Sequence, residues 1–403
     1  MGSLRGNASK IINLLFILFI VLFLAAGLAR TLLFPKDINY LENRPANKVA
    51  AFDLSGYLDA SFQDSVDKAL SDQVFFAQRM KNSYNQADSW LLRRMLRPVI
   101  LTYRDRYIPY HGEWIFQEEY LLYTPGKPGA NRSYYDVNLQ SYNEGFAANP
   151  DVEFYLYYVE TDMDVDLVTG EKSEVYEYIT ENIDLPADHM DRLAVDDFQA
   201  YSRYFLKTDH HWSYRGAYQG YTDILRMLAP EETPLQPLET VVLGTSSGSK
   251  ASSVGIYGFE EEFSAYRFSF PEMTITVNGQ PAADYGSQET WFQRAAEGRP
   301  AALEDNLRYG SFYGGDYGEV VFDTGRADRE NLLILGDSYD NAIIKLLSAH
   351  FGRTYAVDQR YYEVGKGEPF DLSAYIQAND ITKVLMVGYS ISFRMAEFAW
   401  GEG

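Results

Sequence analysis

Residues Asn331–Leu347 read NLLILGDSYDNAIIKLL. The short apolar run Leu332–Leu335 has the pattern of a strand covered on both faces. Gly336-Asp337 interrupts it, and Ala342, Ile343, Leu346 and Leu347 then resume at helical spacing, with Gly352 as the stop. Strand, tight turn and helix make the repeating unit of an open α/β sheet, whose sites lie at the carboxyl ends of the strands. At that edge the turn presents Ser338. A helix beginning behind it would offer N–H groups and a positive dipole end to a developing oxyanion. A plain helix-capping serine is the alternative reading.

The same alternation recurs outward from this unit. Val152–Val159, Thr354–Val357 and Lys383–Val387 read as strands, and Tyr134–Ala148 and Leu372–Gln377 as helices. Tyr214, Ala217, Tyr218, Tyr221, Ile224, Leu225 and Leu228 fall on one helical face, with Ser213 as N-cap and Ala229-Pro230 as the stop. Residues 235–328 differ in character. A Ser/Gly cluster at Gly244–Ser253, the alternating run Met273–Val277 and the hairpin dipeptide Asn278-Gly279 predict a β-rich insertion. Tyr107–Phe116 (YIPYHGEWIF) reads as a hairpin, and Leu54–Leu96, closed by Pro98, as helical.

A serine hydroxyl is a weak nucleophile and needs a base. The chain has five histidines, and two of them stand together in Thr208-Asp209-His210-His211-Trp212, just before the helix at Tyr214. In an extended segment, Asp209 and His211 would point to one face and His210 to the other. His211 is then the candidate base for Ser338, and Asp209 the carboxylate that orients it. A helix-capping histidine is the bland alternative. Asp337 is a second possible orienter, although its place suits a turn former. Adjacent histidines do not readily share one ion and no third ligand is spaced nearby, so neither a metal nor a cofactor is expected.

The whole chain sets the context. Its 403 residues, 46% apolar and 15% aromatic, exceed the usual single-domain size and predict one large domain with insertions or two domains. A net charge of −22 repels nucleic acid, and the absence of cysteine excludes disulfides and thiolate chemistry. Ile11–Ala29 (IINLLFILFIVLFLAAGLA) carries no charge. At about 1.5 Å per residue it nearly spans a hydrocarbon core of about 30 Å. A cleaved signal peptide ending at Gly27-Leu28-Ala29 is the alternative to an anchor. The expected order is a cytoplasmic tail (1–10), a single transmembrane anchor (11–33), a linker (34–53) and an extracytoplasmic domain (54–403), located at the cell membrane.

The paired motifs Thr208–Trp212 and Gly336–Tyr339 resemble the DHHW-motif proteins, relatives of the SGNH-like O-acetyltransferases of bacterial alginate O-acetylation. Glu42-Asn43-Arg44, Asp72–Arg79, Gly112–Phe116 and Gly310–Asp316 look like further landmarks of that family. The resemblance implies a flavodoxin-like, three-layer α/β sheet, with Ser338 as nucleophile, His211 as base and Asp209 as the third member. It also implies an acetyl group received from a membrane-bound O-acyltransferase partner and passed to a hydroxyl of a cell-wall polysaccharide or exopolysaccharide. The usual Gly and Asn oxyanion blocks of SGNH hydrolases are not evident. Arg360 and Tyr389 are the candidates for that role, with Tyr339, Trp212 and Asp337 beside the substrate. A carbohydrate esterase and a non-catalytic glycan-binding or scaffold protein are the competing functions.

Overall fold

The computed structural model describes residues 2–36, 38–39, 44–74, 80–81, 83–84, 87, 90–91, 94, 108–110, 113–115, 120–123, 132–167, 169–253, 260–398 and 400. Two compact units emerge, residues 1–98 with 255–258, and residues 99–254 with 259–403.

In the first unit, the helix Gly2–Leu33 contains one stretch, Ile12–Leu33, long and apolar enough to cross a membrane. The segment after it is tied down by two buried side chains. Gln73 accepts from the Lys36 N–H at 2.7 Å and donates to the Lys36 and Asn47 carbonyls at 3.0 Å. Asp72 accepts from the backbone and side-chain nitrogens of Asn47 at 2.9 and 2.8 Å. The helical stretch expected over Leu54–Leu96 is broken after Leu58. Asp59 and Ala60 separate the helices Leu54–Leu58 and Ser61–Gln73, with Ala60 at φ 69°. Phe75 and Phe76 of the Asp72–Arg79 landmark, Glu42-Asn43, and Tyr107, His111, Gly112 and Phe116 of the expected hairpin lie outside the described residues. The hairpin strands themselves, which belong to the second unit, pair antiparallel, Ile108–Tyr110 with Glu113–Ile115.

The second unit is built on an eight-stranded sheet. Its strands in chain order are β1 (Glu153–Val159), β2 (Met190–Leu193), β3 (Thr274–Val277), β4 (Gln280–Ala282), β5 (Glu319–Asp323), β6 (Asn331–Leu335), β7 (Arg353–Val357) and β8 (Ile381–Gly388). Their spatial order is β4-β3-β5-β7-β6-β8-β1-β2. From β7 to β2 all neighbours are parallel, while β5, β3 and β4 extend the sheet antiparallel. Alternate residues of β1, β6 and β8 serve opposite faces. Tyr155, Tyr157, Leu332, Ile334, Leu385 and Val387 pack with Tyr221, Ile224 and Leu225 of the helix Tyr214–Leu228. Phe154, Leu333 and Val384 pack with Tyr362, Leu372 and Ile376, and Leu156, Tyr158 and Met386 with Leu139, Tyr142 and Ile179. Helices therefore cover both faces, which is the three-layer α/β arrangement.

The β-rich stretch 235–328 does two things. Glu239–Ser246 and Glu261–Arg267 form their own antiparallel ribbon. Thr274–Val277, Gln280–Ala282 and Glu319–Asp323 instead join the main sheet as β3, β4 and β5. Asn278 (φ 49°) and Gly279 (φ 76°) make the tight turn between β3 and β4, the left-handed pair that a two-residue hairpin requires.

One expectation is corrected. Ser338 does not open a long helix. Residues 340–342 form a single 3₁₀ turn and only Ile344–Ser348 is α-helical. Asp337 explains this, because its carboxylate takes the Tyr339 N–H at 2.9 Å and bends the backbone into a side-chain-closed turn. The oxyanion argument from a helix dipole therefore does not apply here.

The helix Tyr214–Leu228 approaches the segment before it without clearance. A Cβ on Gly216 would stand 2.3 Å from the Tyr204 carbonyl oxygen. Substituting Gly216→Ala should therefore lower stability by about 2 kcal/mol, despite alanine's better helix propensity. A urea midpoint equal to or above the wild-type value would contradict this packing.

Candidate active site

The site is assembled from three segments that meet at the carboxyl edge of the parallel strands. The first is the Gly336–Tyr339 turn after β6. A Cβ on Gly336 would stand 2.4 Å from Asp340 Oδ2, so any larger residue there would have to displace the buried Asp340 side chain. Asp337 Oδ1 accepts the Tyr339 N–H, and Oδ2 accepts from the Ser392 hydroxyl. Burial raises the Asp337 pKa, partly offset by these bonds and by Arg360 and His211.

The second segment is Lys207–Trp212. The strand-like alternation expected for it is absent, and the backbone runs through consecutive bends. Asp209 Oδ1 takes both the His211 N–H (3.1 Å) and His211 Nδ1 (2.7 Å), folding the segment back on itself. On its far side His211 Nε2 lies 2.8 Å from Ser338 Oγ. Burial opposes the charge on Asp209. His211, His210 and the Ser249 N–H outweigh it and hold the pKa well below the usual carboxylate range. An ionised Asp209 only accepts, so the proton of neutral His211 sits on Nδ1 and Nε2 is left to accept from the Ser338 hydroxyl.

The third segment, Gly248–Ser253, lies in the Ser/Gly cluster Gly244–Ser253 of the expected β-rich insertion. Ser249 N–H donates to Asp209 Oδ2 at 2.8 Å, and Gly248 N–H to Thr208 Oγ1 at 2.8 Å. A Cβ on Gly248 would meet Asp209 Cβ at 2.4 Å. Lys250 is fully buried and bonds Asp162 (2.5 Å), the Leu121 carbonyl (3.1 Å) and the Tyr201 hydroxyl (3.1 Å). Glu261 holds the other end, accepting from the Lys207 and Thr208 N–H groups and, at 2.6 Å, from Thr208 Oγ1.

The His211 ring is fixed on both faces. Tyr309 stacks on it at 3.9 Å and 3°, and His210 lies against it at 3.9 Å and 36°. Trp212 Nε1 donates to Tyr309 Oη (3.1 Å), which donates to the Tyr339 carbonyl (3.1 Å). Tyr339 Oη donates to the His210 carbonyl at 2.5 Å. Trp212 and Tyr339 are thus buried braces of the site, and Asp337 is the turn former. Arg360 embraces Asp358 through Nε (2.9 Å) and Nη2 (2.5 Å), with Asp316 at 3.5 Å. Tyr389 packs its ring on Tyr339 at 5.0 Å. Both candidates named for the oxyanion are thus engaged with other residues.

His210 was expected to point away from the site. Its ring instead lies on His211, and its Nδ1 is 2.6 Å from Ser249 Oγ. Asp209, His210 and His211 bring their ligand atoms within 4.8 Å of one another, close enough for a metal. Both nitrogens of His211 and Nδ1 of His210 have protein partners.

No family model and no curated protein sequence matches the chain. Solved structures do. A DHHW family protein from Eubacterium siraeum superposes with TM-score 0.53 at 19% identity, over 72% of this chain and 95% of that one. Bacillus cereus PatB1 superposes with TM-score 0.54 at 20% identity, over 73% and 99%. The chain has the fold of these proteins. PatB1 is also known with a sulfonyl adduct, and that form matches equally well, TM-score 0.54.

Burial, with His211 and Lys250, lowers the His210 pKa from 6.5 to about 3 against the pull of Asp209. The folded chain then keeps His210 neutral while the unfolded chain protonates it below 6.5. Stability is therefore lost as pH falls from about 6.5 towards 3, by up to roughly 1.4 kcal/mol per unit from this group. His210→Gln should flatten that decline between pH 7 and 4.5, and parallel curves for variant and wild type would refute it.

Proposed function

We propose that the chain is a membrane-anchored O-acetyltransferase of the cell envelope, passing an acetyl group through acyl-Ser338 to a polysaccharide hydroxyl. The observation that carries this reading is the continuous hydrogen-bonded line from Ser338 Oγ through His211 to Asp209. His211 Nε2 takes the Ser338 proton as Oγ attacks the donor's carbonyl carbon. Asp209 stabilises the imidazolium, which returns the proton to the leaving group. An acceptor hydroxyl then enters, gives its proton to His211, and attacks the acyl-enzyme. The Ser338–acyl bond breaks and Ser338 recovers the proton. The Ser338 N–H makes no hydrogen bond among the described residues, which leaves it free to stabilise the oxyanion.

The membrane part rests on Ile12–Leu33, and the delivery of acetyl groups by a membrane-bound O-acyltransferase partner rests on the DHHW resemblance. Fusion reporters at the two ends should place residue 403 outside the cytoplasm. A cytoplasmic C-terminus would remove the envelope substrate.

Chemistry provides the main test. Ser338→Ala and His211→Ala should each lower acetyl transfer by about 10⁴-fold or more, with little further loss in the double variant. An aryl sulfonyl fluoride should add its sulfonyl mass to the wild type and not to Ser338→Ala. Hydrolysis indifferent to any glycan acceptor would favour the esterase. Equal activity of wild type and Ser338→Ala would leave only a binding role.

A further inference from the structure

One carboxylate in this site is near two serine–histidine pairs. Ser338–His211 is the first. The second is Ser249–His210, with Oγ and Nδ1 2.6 Å apart and His210 Nδ1 3.6 Å from Asp209 Oδ1. The second pair has no part in the acylation chemistry derived above, yet it is held as firmly as the first. Ser249 is fixed through its own N–H to Asp209, and the His210 carbonyl is fixed by Tyr339 Oη. What remains open is one atom. His210 Nε2 makes no hydrogen bond among the described residues, and the side chain is 25% exposed, whereas His211 beside it is 9% exposed.

From this geometry we infer that His210 is the acceptor-binding residue, its Nε2 hydrogen-bonding the hydroxyl compound that attacks acyl-Ser338. This rests on the acyl-serine reading and deepens it. In the first half-reaction Ser338 itself occupies His211 Nε2. In the second, the incoming hydroxyl must take that place beside the His211 ring, and the face of that ring opposite Tyr309 is His210. The balance of the step is unchanged by the contact. The acceptor oxygen bonds the acyl carbon, its proton goes to His211 Nε2 and on to Ser338 Oγ, and the Ser338–acyl bond breaks. His210 exchanges no proton. Its depressed pKa keeps it neutral through the working range, so it neither competes with His211 as base nor repels the imidazolium formed there. The hydroxyl can belong to a sugar or to water, since both present the same group.

The test separates the two half-reactions. With p-nitrophenyl acetate as donor, the initial burst reads acylation, and the steady rate reads deacylation by water or by added glycerol or cello-oligosaccharide. His210→Phe keeps a planar ring against His211 and removes the nitrogen. Deacylation should fall at least tenfold while the burst rate falls less than threefold, and the concentration of alcohol giving half-maximal transfer should rise. His210→Gln, which restores a polar terminus, should recover a good part of the loss. Ser249→Ala, which frees the ring to turn, should fall between. Parallel loss of burst and steady rate in His210→Phe would mark a merely structural residue and overturn the inference, as would a steady rate within twofold of wild type. Failure of the parent reading looks different, because Ser338→Ala would then release p-nitrophenol as fast as the wild type.

Discussion

The Asp209 carboxylate is the constraint on which the rest of the site depends. One oxygen holds the backbone and ring of His211, and the other is held by the Ser249 N–H. A buried carboxylate is costly unless its charge is compensated. Here the compensation comes from the groups whose positions matter, so the bonds that make the burial tolerable also aim the imidazole at Ser338. Fixing the charge before any reactant arrives means that little reorganisation is needed when the imidazolium forms.

That arrangement needs a support from outside itself. Gly248 and Ser249 reach Asp209 because Lys250 is anchored to Asp162 in the buried interior, and Lys207–Thr208 stay in place because Glu261 gathers three donors there. Breaking an ion pair as enclosed as Lys250–Asp162 typically costs about 3–5 kcal/mol. The site is therefore coupled to the stability of the whole unit, and Tyr309 and Trp212 extend the coupling to the ring itself.

Much of this was legible in the residues. Short apolar and aromatic runs located β1, β6, β7 and β8, because those strands are covered on both faces, and 3.6-residue spacing located the helix Tyr214–Leu228. Asn278-Gly279 announced its turn because few other pairs tolerate two left-handed residues. The juxtaposition of Ser338 with His211 was suggested by residue chemistry alone. What was not legible depended on distant contacts. Nothing local marks Tyr309 as the stacking partner of His211, or Glu261 as a clamp on Thr208. Gly244–Ser253 reads only as a Ser/Gly cluster, and nothing local shows that Gly248 is there because no Cβ fits. The length expected of the helix after Ser338 failed because one side chain, Asp337, outcompeted the backbone's own pattern. Likewise β3, β4 and β5 carried strand signals with no indication of which sheet they would join.

The order of strands has a consequence for how the protein comes into being. The strand that links β6 to β1 is β8, the last of the described strands in chain order. Until residues 381–388 have been made, the β1–β2 pair and the β6–β7 pair have no common sheet. Contacts this distant in sequence are slow to close and leave strand edges exposed meanwhile. The three segments of the site thus share one continuous sheet only after β8 has been inserted between β6 and β1.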